Sequence, residues 1–100
     1  MITAQELKQK LDDNTNFLLV DVRTPGEYDE GHIPGAILLP VDIIDDGCTA
    51  LLPDLAAEIV LYCRSGMRSK KALKKLSAIG YTNLTDLKGG IMDWPYEVGV

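Results

Sequence analysis

The sequence predicts a parallel α/β domain, and three observations carry that reading. Phe17-Leu18-Leu19-Val20, Ala36-Ile37-Leu38-Leu39 and Ile59-Val60-Leu61-Tyr62 are continuous apolar runs, the pattern of strands covered on both faces. Helix start signals and one long amphipathic stretch stand between and after them, so strand and helix alternate along the chain. The third observation is size. A chain of 100 residues, 46% of them apolar, has material for one core. Area scaling has it burying about 65% of its unfolded surface, enough to fold without metals or disulfides. Residues 1–100 therefore read as a single domain.

Each element has a local cause. Thr3 with Glu6 is a capping box, and Leu7 and Leu11 then share a face, which predicts a first helix over Ala4 to Leu11. Asp12 to Asn16 is a polar turn before the strand Phe17–Val20, which ends near Asp21. Thr24-Pro25-Gly26-Glu27 repeats the start signal with proline at the first helical position, and Gly31 stops this short helix after Glu30. Pro34-Gly35 turns the chain into Ala36–Leu39, which Pro40 closes. From Val41 to Leu55 apolar residues follow no clean period, so loops with a helical turn or two are expected. After the strand Ile59–Tyr62, Ala72, Leu73, Leu76 and Ile79 mark the apolar face of a helix that Gly80 terminates. Leu84–Leu87 is a short strand, Gly89-Gly90 a turn, and Ile91–Trp94 one helical turn ended by Pro95.

Composition excludes several classes. A formal net charge of −5 argues against a nucleic-acid partner. No stretch approaches the roughly 18 consecutive apolar residues of a membrane span, and Met1 to Lys10 lacks the basic-then-apolar order of an export signal. Two cysteines, Cys48 and Cys63, make no disulfide framework and fit a reducing, cytoplasmic compartment. With His32 they are the only soft ligands and lack the paired spacing of a zinc site, so neither a metal nor another cofactor is expected.

Chemistry concentrates at Cys63. It follows a buried strand and precedes a helix, which places it at the carboxyl edge of the sheet, where open α/β folds bind ligands. The loop Cys63-Arg64-Ser65-Gly66-Met67-Arg68-Ser69 can turn backbone N–H groups inward at the positive end of the helix dipole, forming an anion cradle. Gly66 lets the backbone curl, and Arg64 and Arg68 add positive charge near the sulfur. All of these favour thiolate and predict a Cys63 pKa below the free-thiol value of about 8.5. The bland alternative is a small buried hydrophobe beside surface arginines; it does not account for strand, cysteine, glycine-bearing loop and basic helix occurring in that order.

These residues resemble a known family. The loop from Cys63 to Ser69 is similar to the active-site loop of single-domain rhodaneses, the thiosulfate sulfurtransferases. Asp21-Val22-Arg23 with Glu27-Tyr28 and Gly31-His32-Ile33-Pro34-Gly35-Ala36 resembles that family's N-terminal signature, and Leu87-Lys88-Gly89-Gly90 with Trp94 its C-terminal one. The resemblance implies a three-layer fold with a mostly parallel sheet of about five strands flanked by helices, the active loop at the C-terminal end of a central strand. It implies an enzyme moving sulfane sulfur from thiosulfate, a persulfide or a polysulfide to cyanide or a thiol through a Cys63 persulfide. Arg64, Ser65, Gly66, Met67, Arg68 and Ser69 would hold the anionic donor. Related phosphatases and arsenate reductases place five residues between cysteine and arginine; here there are four, since position 69 is serine, and the count favours sulfur. Two other readings stand beside the enzyme: a carrier that relays persulfide for a partner protein with little thiosulfate turnover, and a non-catalytic binding domain, against which Cys63 and both arginines argue.

The remaining residues carry structural readings with a functional alternative. Arg23 and Glu27, four apart, form an ion pair that fixes the loop after the first strand, or line the rim of the site. His32 hydrogen-bonds its turn rather than acting in catalysis. Asp21 either faces the cleft or binds neighbouring backbone. Trp94 anchors the C-terminal segment in the core, with a substrate contact as the alternative. Cys48 reads as passive, the alternative being a resolving partner for Cys63. Lys70, Lys71, Lys74 and Lys75 form a solvated helix face that could also steer anions. Residues 63–75 contain six basic residues and no acid, a charge of +6, against four basic and fifteen acidic residues elsewhere, −11. The acidic average thus conceals a basic pole around the nucleophile.

Overall fold

The computed structural model describes residues 1–100, apart from the side chains at positions 46 and 47. The elements are α1 (Ala4–Asp12), β1 (Leu18–Asp21), α2 (Pro25–Glu30), β2 (Ile37–Leu38), β3 (Ile59–Tyr62), α3 (Met67–Ile79) and β4 (Leu84–Asp86). Short 3-10 turns at Val41–Ile43, Asp46–Ala50 and Ile91–Asp93 occupy the weakly patterned stretch and the C-terminal segment. Both expected capping boxes form: Thr3 with Glu6 opens α1 and Thr24 with Glu27 opens α2.

The strands make one parallel sheet in the order β2-β1-β3-β4. β3 is central and all four of its residues are buried, which explains why it carries no polar residue. Its side chains alternate between two cores. Ile59 and Leu61 pack with Val20, Ala72 and Leu76 on the α3 side, while Val60 and Tyr62 pack with Leu7, Leu19, Leu87 and Trp94 on the α1 side. Helices on both faces of the sheet give three layers. The same alternation sends Cys63 toward α3, and Cys63 is indeed a member of that core.

The sheet holds four strands rather than the expected five. The N-terminus supplies one parallel bridge, Ile2 to Leu87, with Ile2 N–H donating to the Asp86 carbonyl at 2.9 Å and Lys88 N–H to the Ile2 carbonyl at 2.8 Å. It cannot extend into a strand because Thr3 already caps α1. Strand ends also shift: β1 ends at Asp21 as expected but begins at Leu18 rather than Phe17, and β2 keeps only Ile37 and Leu38 of the four-residue apolar run. Among the described residues no helix is long and apolar enough to cross a membrane.

Candidate active site

The loop after β3 is held from behind. The Cys63 carbonyl accepts from Ile91 N–H at 2.9 Å and the Arg64 carbonyl from Met92 N–H at 3.0 Å, so the 3-10 turn at Ile91–Asp93 forms its floor. Gly90 permits this approach. A Cβ there would lie less than 3.0 Å from the carbonyl oxygens of both Cys63 and Arg64, and its φ of +63° with ψ of −162° belongs to a region open essentially to glycine alone.

The sulfur then stands where a helix cap belongs. Gly66 is the N-cap of α3 and offers no side-chain acceptor, so the first N–H groups of the helix need a partner. Cys63 supplies it: Gly66 N–H donates to Sγ at 3.0 Å. Gly66 is required by conformation rather than by room, since its φ is +113° while a Cβ would meet nothing within 4 Å. Burial pushes the thiol up, but the N–H groups of Ser69, Gly66 and Ser65, together with the Ser69 hydroxyl, outweigh it and hold the Cys63 pKa below its ordinary value. The site can therefore present an ionised sulfur nucleophile at the positive end of a 13-residue helix.

The arginines do less of this than the sequence suggests. Arg64 is exposed, with its backbone rather than its guanidinium engaged in the loop. Arg68 is bound to Glu27, Nη1 to Oε1 at 2.6 Å and Nη2 to Oε2 at 2.8 Å. This corrects the expected Arg23–Glu27 pair. The helix start turns Glu27 toward the α3 loop, where Arg68 meets it, whereas Arg23 folds back on Asp21 with Nη2 to Oδ2 at 2.8 Å and donates to the Gly31 carbonyl at 2.7 Å. The Arg68 guanidinium, with help from Thr24, holds the Glu27 carboxyl down at about 2. The basic pole is thereby thinned: Arg68 is matched by Glu27 and Lys70 by Asp86 at 3.1 Å.

Several predicted positions lie behind the site. Asp21 is fully buried and also accepts from Arg23 N–H at 2.9 Å, so it binds neighbouring backbone rather than opening to the cleft. His32 stacks on Tyr28 with ring centroids 3.7 Å apart, its Nδ1 lies 2.9 Å from the Tyr28 carbonyl, and its backbone pairs with Gly99. Trp94 packs in the α1-side core, across the sheet from Cys63, and donates Nε1–H to the Glu97 carbonyl at 3.1 Å. Cys48 is buried, 3.8 Å from the Tyr81 hydroxyl. Met67, the first residue of α3, has 82% of its surface exposed, and Met92, whose N–H holds the Arg64 carbonyl, has 63%.

Asp86 is the residue that sequence reading passed over. It is 4% exposed, and its Oδ2 accepts from the Ser69 hydroxyl at 3.2 Å as well as from Lys70. Its signal is parity: Leu84 and Asp86 register with Ile59 and Leu61, so an acid at that position must face α3. Ser69 is fully buried, and its single proton is shared among Asp86, the Gly66 carbonyl at 3.0 Å and the Cys63 sulfur. Replacing Ser69 by Ala removes donation to the sulfur and raises the Cys63 pKa. Less thiolate is then present at neutral pH, and alkylation by iodoacetamide at pH 7 slows about threefold or more. The full rate-versus-pH profile checks it: wild type has its midpoint below that of an ordinary thiol and Ser69→Ala has a higher one than wild type.

Comparison with known proteins identifies the family to which this fold belongs. The family model of the rhodanese-like domain matches residues 3–97. A sulfurtransferase of Allochromatium vinosum is 41% identical over 93 residues, covering 93% of this chain and 85% of that protein. The thiosulfate sulfurtransferase PspE of Escherichia coli is 34% identical over 74 residues, 74% of this chain and 70% of its own. Other relatives are longer, and the chain spans as little as 25% of them. The crystal structure of a rhodanese-like domain protein from Staphylococcus aureus superposes with a TM-score of 0.87 at 34% identity, covering 99% of this chain and 95% of that one. On sequence and architecture together, the chain belongs to the rhodanese-like family, and its relatives place its chemistry in sulfur transfer.

Proposed function

We propose that the protein is a sulfurtransferase that works through a persulfide on Cys63. The observation that carries this reading is the Gly66 N–H to Cys63 sulfur hydrogen bond at the uncapped start of α3, within a cradle that lowers the thiol pKa against burial. In the first half-reaction the Cys63 thiolate attacks the outer sulfur of the donor. With thiosulfate, a new sulfur–sulfur bond forms, the donor's sulfur–sulfur bond breaks, and sulfite leaves with the electron pair. The inward N–H groups stabilise the charge that moves through the loop. In the second half-reaction cyanide or a thiolate attacks the outer sulfur of the persulfide and departs as thiocyanate or a new persulfide, returning Cys63 as thiolate. The loop favours the thiolate as the entering nucleophile, so the step calls for no general base.

A second reading has its own support. Met67 and Met92 expose flexible apolar side chains beside the loop, a rim that suits a protein surface, as a persulfide carrier for a partner would require. One assay separates the two. Thiocyanate formation from thiosulfate and cyanide is expected to proceed catalytically, with many turnovers per Cys63 and ping-pong kinetics. Stoichiometric loading of Cys63 from polysulfide, without turnover of thiosulfate, supports the carrier instead.

A further inference from the structure

The anion-binding reading needs the Arg68 fork, yet each of its terminal nitrogens already donates to Glu27, which fixes the direction of the fork and matches its charge. This is a bidentate arginine–carboxylate pair, the strongest geometry available to those groups. Glu27 is itself held in place. It is the third residue of α2, its N–H donates to the Thr24 hydroxyl at 3.3 Å, and its Oε1 accepts from Thr24 N–H and from the Thr24 hydroxyl, both at 3.1 Å. The side chains are 34% and 29% exposed, so water reaches the pair without dispersing it. An incoming oxyanion competes with a carboxylate that the fold keeps at high local concentration.

Charge bookkeeping says which donors suffer. The Cys63 thiolate carries one negative charge, and the start of α3 answers it with about half a positive charge. Arg68 with Glu27 adds nothing net, and Lys70 with Asp86 adds nothing net. Among the described residues Arg64 is the cation left at the exposed edge of the loop itself, with Lys71, Lys74 and Lys75 further along α3. A dianion such as thiosulfate brings three negative charges together at the loop. A protonated thiol persulfide leaves only the one on Cys63.

Resting on the persulfide reading above, we propose that Glu27 is a specificity-determining residue that holds the Arg68 fork, slows loading from dianionic donors without abolishing it, and suits the loop to persulfides of small uncharged thiols. In that transfer the Cys63 thiolate attacks the outer sulfur of RSSH. The bond to Cys63 forms, the donor's sulfur–sulfur bond breaks with its electron pair leaving on RS⁻, and the proton stays on the transferred sulfur. Glu27 acts through Arg68 and touches no reacting atom.

The test is the rate of Cys63 loading in single turnover, followed by intact mass, for the full chain with thiosulfate and with the persulfide of an uncharged small thiol, 2-mercaptoethanol. Glu27→Gln retains an oxygen for Thr24, so α2 keeps its cap, while Arg68 is released. The thiosulfate-to-persulfide rate ratio is expected to rise about fivefold or more. Glu27→Asp, which withdraws the carboxylate by one methylene, shifts the ratio the same way by less. A general loosening of the site lowers both rates together and does not produce this change. An unchanged or lowered ratio in both variants, with both donors still loading Cys63, overturns the proposal. Failure of both donors to load wild-type Cys63 overturns the persulfide reading on which it rests.

Discussion

Cys63→Ser lowers sulfur transfer by at least about a thousandfold, to the rate without enzyme. A serine hydroxyl titrates far above the range in which these N–H groups can ionise it, and oxygen forms no stable link to sulfane sulfur under these conditions. The change is also a clean one. The serine oxygen can still accept from Gly66 N–H, and the carbonyl at position 63 still accepts from Ile91 N–H, so the loop keeps its frame. Thiocyanate formation should therefore vanish while the melting temperature moves only a few degrees. Turnover above a tenth of wild type in a folded variant would remove Cys63 from the mechanism.

Gly90→Ala is expected to be the most destabilising small substitution near the site. The added methyl would press against the carbonyls of Cys63 and Arg64, which are themselves tied to Ile91 and Met92. Relief requires either moving the floor of the active loop or moving Gly90 out of its φ of +63°. Backbone strain and overpacking together cost about 3–5 kcal/mol. For a domain of this size that lowers the melting temperature by about 15–25 °C. Urea denaturation measures it, and a loss below about 1 kcal/mol would show that the loop floor yields easily. Any surviving activity should come with slower alkylation of Cys63 at neutral pH and a higher midpoint of its rate-versus-pH profile, because the sulfur would no longer be held against the N–H groups at the start of α3.

Much of this architecture could be read from residue order because its causes are local. Continuous apolar runs needed cover on two faces, and Thr3 with Glu6 and Thr24 with Glu27 carry their helix starts in four residues each. The loop declared its chemistry for the same reason: strand end, sulfur, positive-φ glycine and helix start are neighbours in the chain. What escaped was set by tertiary pairing. Glu27 had Arg23 within one helical turn but took Arg68, 41 residues away, because Arg23 found the buried Asp21. Asp86 was hidden for a related reason, since its importance depends on the β3–β4 register that turns it toward Ser69. The basic pole was visible as a sum and misleading as a field, because two of its cations are matched by acids from other elements.

The central claim is that Cys63 carries the transferred sulfur. Intact mass of the full chain after brief treatment with a sulfane-sulfur donor and removal of excess reagent tests it most directly. The account predicts a gain of one sulfur atom on wild type, reversed by cyanide with release of thiocyanate and absent from Cys63→Ser. Catalytic thiocyanate production when cyanide is present, combined with no gain of sulfur on wild type when the donor is supplied without acceptor, or the same gain on Cys63→Ser, would contradict it.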